Sequence, residues 1–195
     1  ARADRFIPSD LVSPLYSGMT NNILLGTEEE KLYTEKLLKD IKNAPPKKGK
    51  HIYCMHTIPF WSDAVKEALL LNDSAQIVGC ELSQVADLSV HSEDPYEEMA
   101  MRLVYHALNG PISRRIEAGI HHAKQAGADG AVWFNHWGCK HTLGGSRIAK
   151  KRFEEAGIPM LILDGDGCDR SHGGEGQTST RLGAFLEMLG DFDHE

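Results

Sequence analysis

From residue 50 onward, short apolar runs of strand length alternate with longer segments of helical periodicity. The pattern predicts strands over 51–57, 75–80, 130–135 and 160–163, and helices over 61–71, 94–108, 112–126, 144–156 and 177–189. Strands that alternate with helices in this way pair in parallel through βαβ crossovers. We therefore expect an α/β fold: a Rossmann-like (flavodoxin-like) parallel sheet of about four strands with flanking helices.

The first 49 residues carry a different pattern. Prolines and glycines punctuate residues 1–26, which either pack across another domain or subunit or form a loosely ordered terminus. A helix is predicted over 27–42, because Thr27 and Glu30 have the spacing of a capping box. We expect an N-terminal extension with one helix over 1–49 and an α/β domain over 50–195.

Composition and cysteine spacing exclude several classes of protein. The formal net charge of −7 disfavours a nucleic-acid partner. No apolar stretch approaches the roughly 20 residues of a membrane span, and the N-terminal stretch lacks the apolar core of a secretory signal. The four cysteines are widely spaced without a CxxC pair, so local spacing does not support a zinc site. We expect a cytoplasmic protein, with Cys54 and Cys80 in the core because they lie within predicted strands.

Residues capable of chemistry follow each predicted strand. In a parallel sheet these loops meet at the carboxyl edge, where ligands of such folds gather. His56 and Thr57 lie at the end of the first predicted strand, and Glu81 follows the second. The loops over 135–141 and 164–170, after the third and fourth strands, are rich in Cys, His and Asp. This concentration predicts a functional site at the carboxyl edge.

Cys139 follows the third predicted strand and is the first candidate within that site. Gly138 permits close backbone approach, and the start of the following helix offers N–H groups that favour a thiolate or an anionic cluster. Thiolates are the ligands of iron–sulfur clusters. Spacing alone leaves three roles open: metal ligand, nucleophile, or unligated loop cysteine. His136 and His141 flank Cys139, so a Cys–His nucleophile pair is a further alternative.

Cys168 and the start of the last helix are secondary candidates. Cys168 lies in the loop 164–170, which lacks the closing glutamate of a calcium-binding EF-hand. It is either a second cluster ligand or a small residue that shields a cluster. Glycines at 173–176 lead into the last helix, where Gln177 and Arg181 would hold an anionic group. An ordinary helix cap is the alternative there.

Several short motifs occur together in the second half of the chain, and three more features lie upstream: Glu81-Leu, Glu93-Asp-Pro95 and the predicted helix with Arg114 and Arg115. The main set is Gly127-Ala-Asp-Gly, Asn135-His-Trp-Gly-Cys139, Ala156-Gly-Ile-Pro, Leu163-Asp-Gly-Asp, Gly176-Gln, Thr180-Arg-Leu and Phe185-Leu-Glu-Met. With these motifs the chain resembles the C-terminal part of the 2-hydroxyglutaryl-CoA dehydratase D-component family. That family includes 2-hydroxyacyl-CoA dehydratase subunits, benzoyl-CoA reductase subunits and double-cubane cluster proteins. The resemblance covers roughly residues 50–190.

The resemblance implies a cofactor and a reaction. Family subunits hold an iron–sulfur cluster, 4Fe-4S or double-cubane, through cysteines from more than one domain, and one of these cysteines corresponds to Cys139. His136 and Gly138 would then lie beside the cluster. Dehydratase members are lyases of anaerobic metabolism that remove water from an (R)-2-hydroxyacyl-CoA through a ketyl radical. The electron comes from a separate ATP-dependent iron–sulfur activator protein, and the enzyme is a dimer of paralogous or identical subunits.

Two alternatives stay open. One is a benzoyl-CoA reductase-type or double-cubane ATP-dependent reductase from the same family. The other, from a different class, is a non-catalytic flavodoxin-like binding module that serves assembly or regulation and holds no cluster.

Family subunits are longer than this chain and have a preceding α/β domain with further cluster cysteines, whereas residues 1–49 contain no cysteine. We therefore predict that this chain alone binds the cluster weakly or not at all. The measurement is the iron and sulfide content of the lone chain purified under anaerobic conditions. A full complement of both would contradict the prediction.

Overall fold

The computed structural model describes residues 26–43, 49–56, 58–59, 61–70, 74–83, 91–172 and 174–191, and strands alternate with helices along them. The strands are β1 (Lys50–Met55), β2 (Ala75–Cys80), β3 (Gly130–His136) and β4 (Met160–Gly165). The helices are α1 (Glu28–Asn43), α2 (Asp63–Val65), α3 (Pro95–Tyr105), α4 (Ile112–Gln125), α5 (Lys140–Leu143), α6 (Ser146–Glu155) and α7 (Glu175–Asp191).

The four strands of the described region form one parallel sheet in the order β2-β1-β3-β4. β1 pairs with β2 on one side and with β3 on the other, and β4 extends the sheet beyond β3. This is the strand order of a flavodoxin-like sheet, in which the chain reverses its direction of winding between β1 and β3. The prediction of a parallel α/β sheet of about four strands is confirmed.

Apolar side chains cover both faces of the sheet, as parallel sheets require. On one face, Val65 of α2 and Leu182 of α7 belong to an apolar cluster with the strands. On the other face, Ile116 of α4 and Phe153 of α6 pack with Trp133 of β3. Because both faces are covered, every residue of β2 is buried. This explains why the strands appear in the sequence as continuous apolar runs.

Two helix starts follow the local sequence signals. At α3 the Asp94 carboxylate accepts a hydrogen bond from the Tyr96 N–H at 2.9 Å, and Pro95 is the first helical residue. At α1 the Thr27 hydroxyl oxygen accepts a hydrogen bond from the Glu30 N–H at 3.2 Å. Both helices are therefore present as predicted, although α3 ends earlier than its pattern indicates.

The structure departs from the predicted boundaries mainly near the carboxyl edge. β3 continues through His136 and β4 through Gly165, because the parallel pairing of these two strands extends to that register. The one-turn helix α5 inside the loop after β3 is an addition that the sequence pattern did not indicate. In the predicted helix 61–71, only Asp63–Val65 is α-helical, and a π-helical turn continues over Lys66–Leu70.

The N-terminal extension is described only in part. Residues 1–25 and the prolines at positions 45 and 46 lie outside the described residues. The two interpretations of the N-terminal segment, packing across another domain or subunit and a loosely ordered terminus, therefore stay predictions. The division of the chain at residue 49 stays a prediction. Within the described ranges, no helix combines the length and the apolar character needed to cross a membrane.

The packing of α4 against the sheet generates a prediction at Gly119. A Cβ there would lie 2.6 Å from the Met55 sulfur and 3.2 Å from the Phe153 ring. Gly119→Ala therefore overpacks the core at a cost of about 1–3 kcal/mol. The preference of a helix for alanine over glycine offsets about 0.5–1 kcal/mol of this cost, so we expect a net loss of up to about 2 kcal/mol in the free energy of unfolding. Urea denaturation measures this quantity.

Gly183→Ala is the matched control, because a Cβ at this helical position of α7 meets nothing within 4 Å. Alanine there is expected to leave the free energy of unfolding unchanged or to raise it by about 0.5–1 kcal/mol. If Gly119→Ala is as stable as Gly183→Ala, the close approach of α4 to β1 is wrong.

Candidate functional site

The carboxyl ends of β1 and β3 lie side by side at the switch point of the sheet. His56 follows β1 with a φ of 64°, in the left-handed region that non-glycine residues rarely adopt. Burial lowers the pKa of the His56 imidazole, and the positive charge of Arg115 lowers it further. Thr57, the other candidate after β1, lies outside the described residues.

Cys139 lies at the N-cap of α5, and its thiol is partly exposed. A hydrogen bond from the Thr142 hydroxyl, followed by the backbone N–H groups of Thr142 and His141, lowers the pKa of the Cys139 thiol. The single hydroxyl proton of Thr142 also reaches the Cys139 carbonyl oxygen at 3.1 Å. The Thr142 N–H likewise donates to this carbonyl oxygen, at 3.2 Å. The start of α5 thus favours a thiolate, whereas the sequence predicts this effect from the helix over 144–156, which begins further along the chain.

His136 ends β3 and contacts the loop after β4. The Gly167 N–H donates a hydrogen bond to His136 Nδ1 at 2.7 Å, and His136 Nε2 lies 3.9 Å from the Cys168 sulfur. Because Nδ1 accepts a hydrogen bond, the neutral ring carries its proton on Nε2. His136 therefore presents an N–H donor to the exposed thiol of Cys168. A Cβ at Gly167 would lie 3.2 Å from Nδ1, so a side chain at this position would crowd the His136 ring.

His136, Asp166 and Cys168 bring one potential metal-ligand atom each within 4.8 Å of one another. The Asp166 carboxylate already accepts hydrogen bonds from the N–H groups of Cys168 at 2.9 Å and Asp169 at 3.1 Å. Its other oxygen lies 3.2 Å from His172 Nδ1. The Cys168 N–H and then His172 lower the pKa of Asp166 to about 2. Because His136 has no vacant lone pair in this tautomer, the trio forms a turn that presents Cys168, rather than a three-ligand metal centre.

Asn135 joins the two loops that carry the thiols. Its side-chain amide donates to the Asp164 carboxylate at 2.9 Å and to the Ser146 hydroxyl at 3.2 Å. Asn135 is buried, so these bonds fix the end of β3 against the end of β4 and the start of α6.

Glu81 and Arg115 form a buried ion pair beneath the carboxyl edge. Arg115 Nε lies 2.5 Å from Glu81 Oε1, and Arg115 Nη2 lies 2.6 Å from Glu81 Oε2. Their side chains are 5% and 1% exposed, respectively. Glu81 and Arg115 each lie in stretches that carry the family resemblance, but the sequence pattern does not indicate that they pair. The available signal was a charged residue inside the apolar stripe of α4, where Arg115 stands next to Ile116 and in line with Ile112 and Gly119.

The structure places the remaining predicted site residues as follows. Gly138 has a φ of 83°, so its backbone uses the freedom of glycine. Arg181 donates a hydrogen bond to the Ile162 carbonyl and lies 3.7 Å from the Asp164 carboxylate, and it lines a groove of about 870 Å³ along β4. Gln177 is exposed in the first turn of α7. Their roles in binding a cofactor stay predictions.

Cys54 and Cys80 are buried in the apolar layer on the α2 and α7 face, as predicted for core cysteines. Burial raises the pKa of the Cys54 thiol. The Cys80 thiol donates a hydrogen bond to the His56 carbonyl oxygen at 3.0 Å. Both thiols are therefore structural, in contrast to Cys139 and Cys168.

Comparison with known proteins supplies the context of this site. The (R)-phenyllactyl-CoA dehydratase beta subunit of Clostridium sporogenes is 28% identical over 173 residues, which are 83% of this chain and 45% of the relative. The chain thus spans less than half the length of this relative. The family model described as 2-hydroxyglutaryl-CoA dehydratase, D-component, matches residues 8–189, a longer stretch than the motifs alone cover. The chain belongs to the 2-hydroxyglutaryl-CoA dehydratase D-component family.

Proposed function

We propose that this chain is an iron–sulfur component of a 2-hydroxyacyl-CoA dehydratase, a lyase, with Cys139 as a ligand of the cluster. The observation that carries the proposal is a partly exposed thiol of lowered pKa at the carboxyl end of β3, in a chain of the D-component family. A thiolate at the switch point of a parallel sheet occupies the position where such folds bind ligands.

The donor set at this edge fits part of a cluster site. Thiolates bind iron–sulfur clusters, and 4Fe-4S clusters commonly take four of them. Among the described residues, Cys139 and Cys168 are the thiols at the carboxyl edge that are not buried. The remaining ligands would come from polypeptide outside this chain, in keeping with a relative about twice as long.

Within this arrangement each residue has a defined task. The cluster, when bound, supplies one-electron chemistry that protein side chains lack. Cys139 provides a thiolate favoured by the Thr142 hydroxyl and then by backbone N–H groups, and Gly138 leaves space beside it because nothing lies within 4 Å of a Cβ there. His136 donates its Nε2–H toward the sulfur of Cys168. Cys168 is then either a second ligand of the cluster or a small residue that shields it. Hydrogen bonds to sulfur ligands tune the reduction potential of such clusters.

The name of the relative favours a dehydratase over a benzoyl-CoA reductase-type or double-cubane reductase. On this proposal the substrate is an (R)-2-hydroxyacyl-CoA, and an ATP-dependent iron–sulfur activator protein donates the electron. A paralogous or identical subunit would complete the enzyme, since the relative is named as a beta subunit. A non-catalytic binding module is the outcome that the following experiment must distinguish.

The test is anaerobic purification through a tag on this chain, so that any partner chains are retained, followed by iron analysis and Mössbauer spectroscopy. Loss of even an outer partner of a metal ligand costs about 10–100-fold in affinity. Cys139→Ser is therefore expected to lower iron affinity by at least that factor. The Mössbauer spectrum of the wild type separates a 4Fe-4S cluster from a double cubane.

Cys54→Ala is the matched control, because its sulfur lies in the core, away from the carboxyl edge. It should keep the iron content of the wild type. Equal iron in Cys139→Ser and Cys54→Ala would remove Cys139 from the ligand set. Absence of iron in all three proteins when the partner chains have co-purified would favour the binding module.

A further inference from the structure

The Arg115 guanidinium uses all three of its nitrogens inside the protein. Nε and Nη2 bind the Glu81 carboxylate, and Nη1 donates a hydrogen bond to the His141 carbonyl oxygen at 3.0 Å. The carbon at the centre of the guanidinium lies 4.6 Å from the centroid of the Trp133 ring, within range of a cation–π contact. Arg115 therefore connects α4 with the end of β2, with β3 and with α5.

The Glu81 carboxylate extends this connection to β1. Its Oε2 also accepts a hydrogen bond from the His56 N–H at 2.9 Å. His56 holds a left-handed backbone conformation, which persists only where surrounding contacts determine it. The ion pair thus fixes the chain directly after β1 and, through the His141 carbonyl, the turn that begins at Cys139.

Stability alone does not account for this pair. Removing two charges from water is costly, and well-packed apolar side chains of similar volume serve a core equally well or better. The α5 turn, by contrast, has four residues and cannot hold its shape without tertiary contacts. The Arg115 side chain is 1% exposed, so it offers almost no surface to a substrate. Its hydrogen bond to the His141 carbonyl oxygen indicates a role exerted through α5.

We propose that Arg115, oriented by Glu81, is a positioning residue that fixes the α5 turn and thereby the direction of the Cys139 thiol. The proposal rests on the proposed function only in that the Cys139 thiol binds a cluster. The coupling of Arg115 to α5 is argued from hydrogen bonds within this chain. Outer partners that orient metal ligands commonly matter almost as much as the ligands.

Arg115→Lys tests the proposal, because lysine keeps the positive charge but lacks the planar fork that binds Glu81 and His141 together. The readouts are backbone amide hydrogen exchange over residues 139–146 and the rate at which a ferrous chelator removes iron from the anaerobically purified protein. We expect roughly tenfold faster exchange in this segment and iron release faster by about tenfold or more. Exchange over β4 should stay as in the wild type.

Arg114→Lys is the matched control. It changes the neighbouring arginine of the same helix, whose Nη1 binds the Val104 and Asn109 carbonyl oxygens instead of the site. Unchanged exchange over 139–146 in Arg115→Lys overturns the proposal, as does an equal acceleration over β4, which indicates a merely structural role. If Arg115→Lys does not fold, the apolar double variant Glu81→Met with Arg115→Met replaces it, with the same expectations over 139–146.

The two readouts separate failure of this proposal from failure of the proposed function. A wild type that has co-purified with its partner chains but holds no iron contradicts the proposed function, while the exchange measurement still decides whether Arg115 fixes α5. A wild type with iron whose release is unaffected by Arg115→Lys contradicts the positioning role alone.

Discussion

Parallel pairing of β1 with β3 is the constraint on which the site depends. The strand order β2-β1-β3-β4 brings the ends of two strands that are far apart in sequence into contact, with helices departing to opposite faces. The crevice between these ends is the place where ligands bind in open α/β sheets. His56, Glu81, Cys139 and Cys168, which follow different strands, therefore lie along one edge of the sheet.

Two local devices present the two thiols at this edge. Cys139 begins the α5 turn, whose N–H groups act on the sulfur and whose His141 carbonyl is held by Arg115. Cys168 stands on a turn closed by the Asp166 carboxylate and faces the N–H of His136. In both loops, hydrogen bonds to backbone groups fix the main chain that carries the cysteine. The position of each sulfur is therefore set by the backbone as well as by the cysteine side chain.

The fold could be predicted from the sequence because the signals for its helix starts and strands are local. Asp94 and Pro95 mark the start of α3, Thr27 and Glu30 mark the start of α1, and the apolar runs mark strands buried on both faces. The strand ends were less accessible, since the pairing of β3 with β4 extends both strands and depends on a neighbour distant in sequence.

The sequence predicts which residues lie in the candidate site, but it does not predict the hydrogen bonds and the ion pair that connect them. The position of Cys139 after β3 follows from the strand pattern, and so does the grouping of polar loops at one edge. The pairing of Glu81 with Arg115 spans 34 positions of sequence and three elements, so no local spacing reveals it. The orientation of His136 toward Cys168 depends on the Gly167 N–H, a backbone donor that has no signature in the side-chain pattern.

The central claim is that the thiolate of Cys139 binds iron at the switch point of the sheet. Anomalous diffraction at the iron absorption edge, on crystals of the assembled protein grown without oxygen, tests it most directly. The account predicts an iron peak within bonding distance of the Cys139 sulfur. An iron–sulfur cluster in the same crystals whose ligands all come from other residues would contradict it.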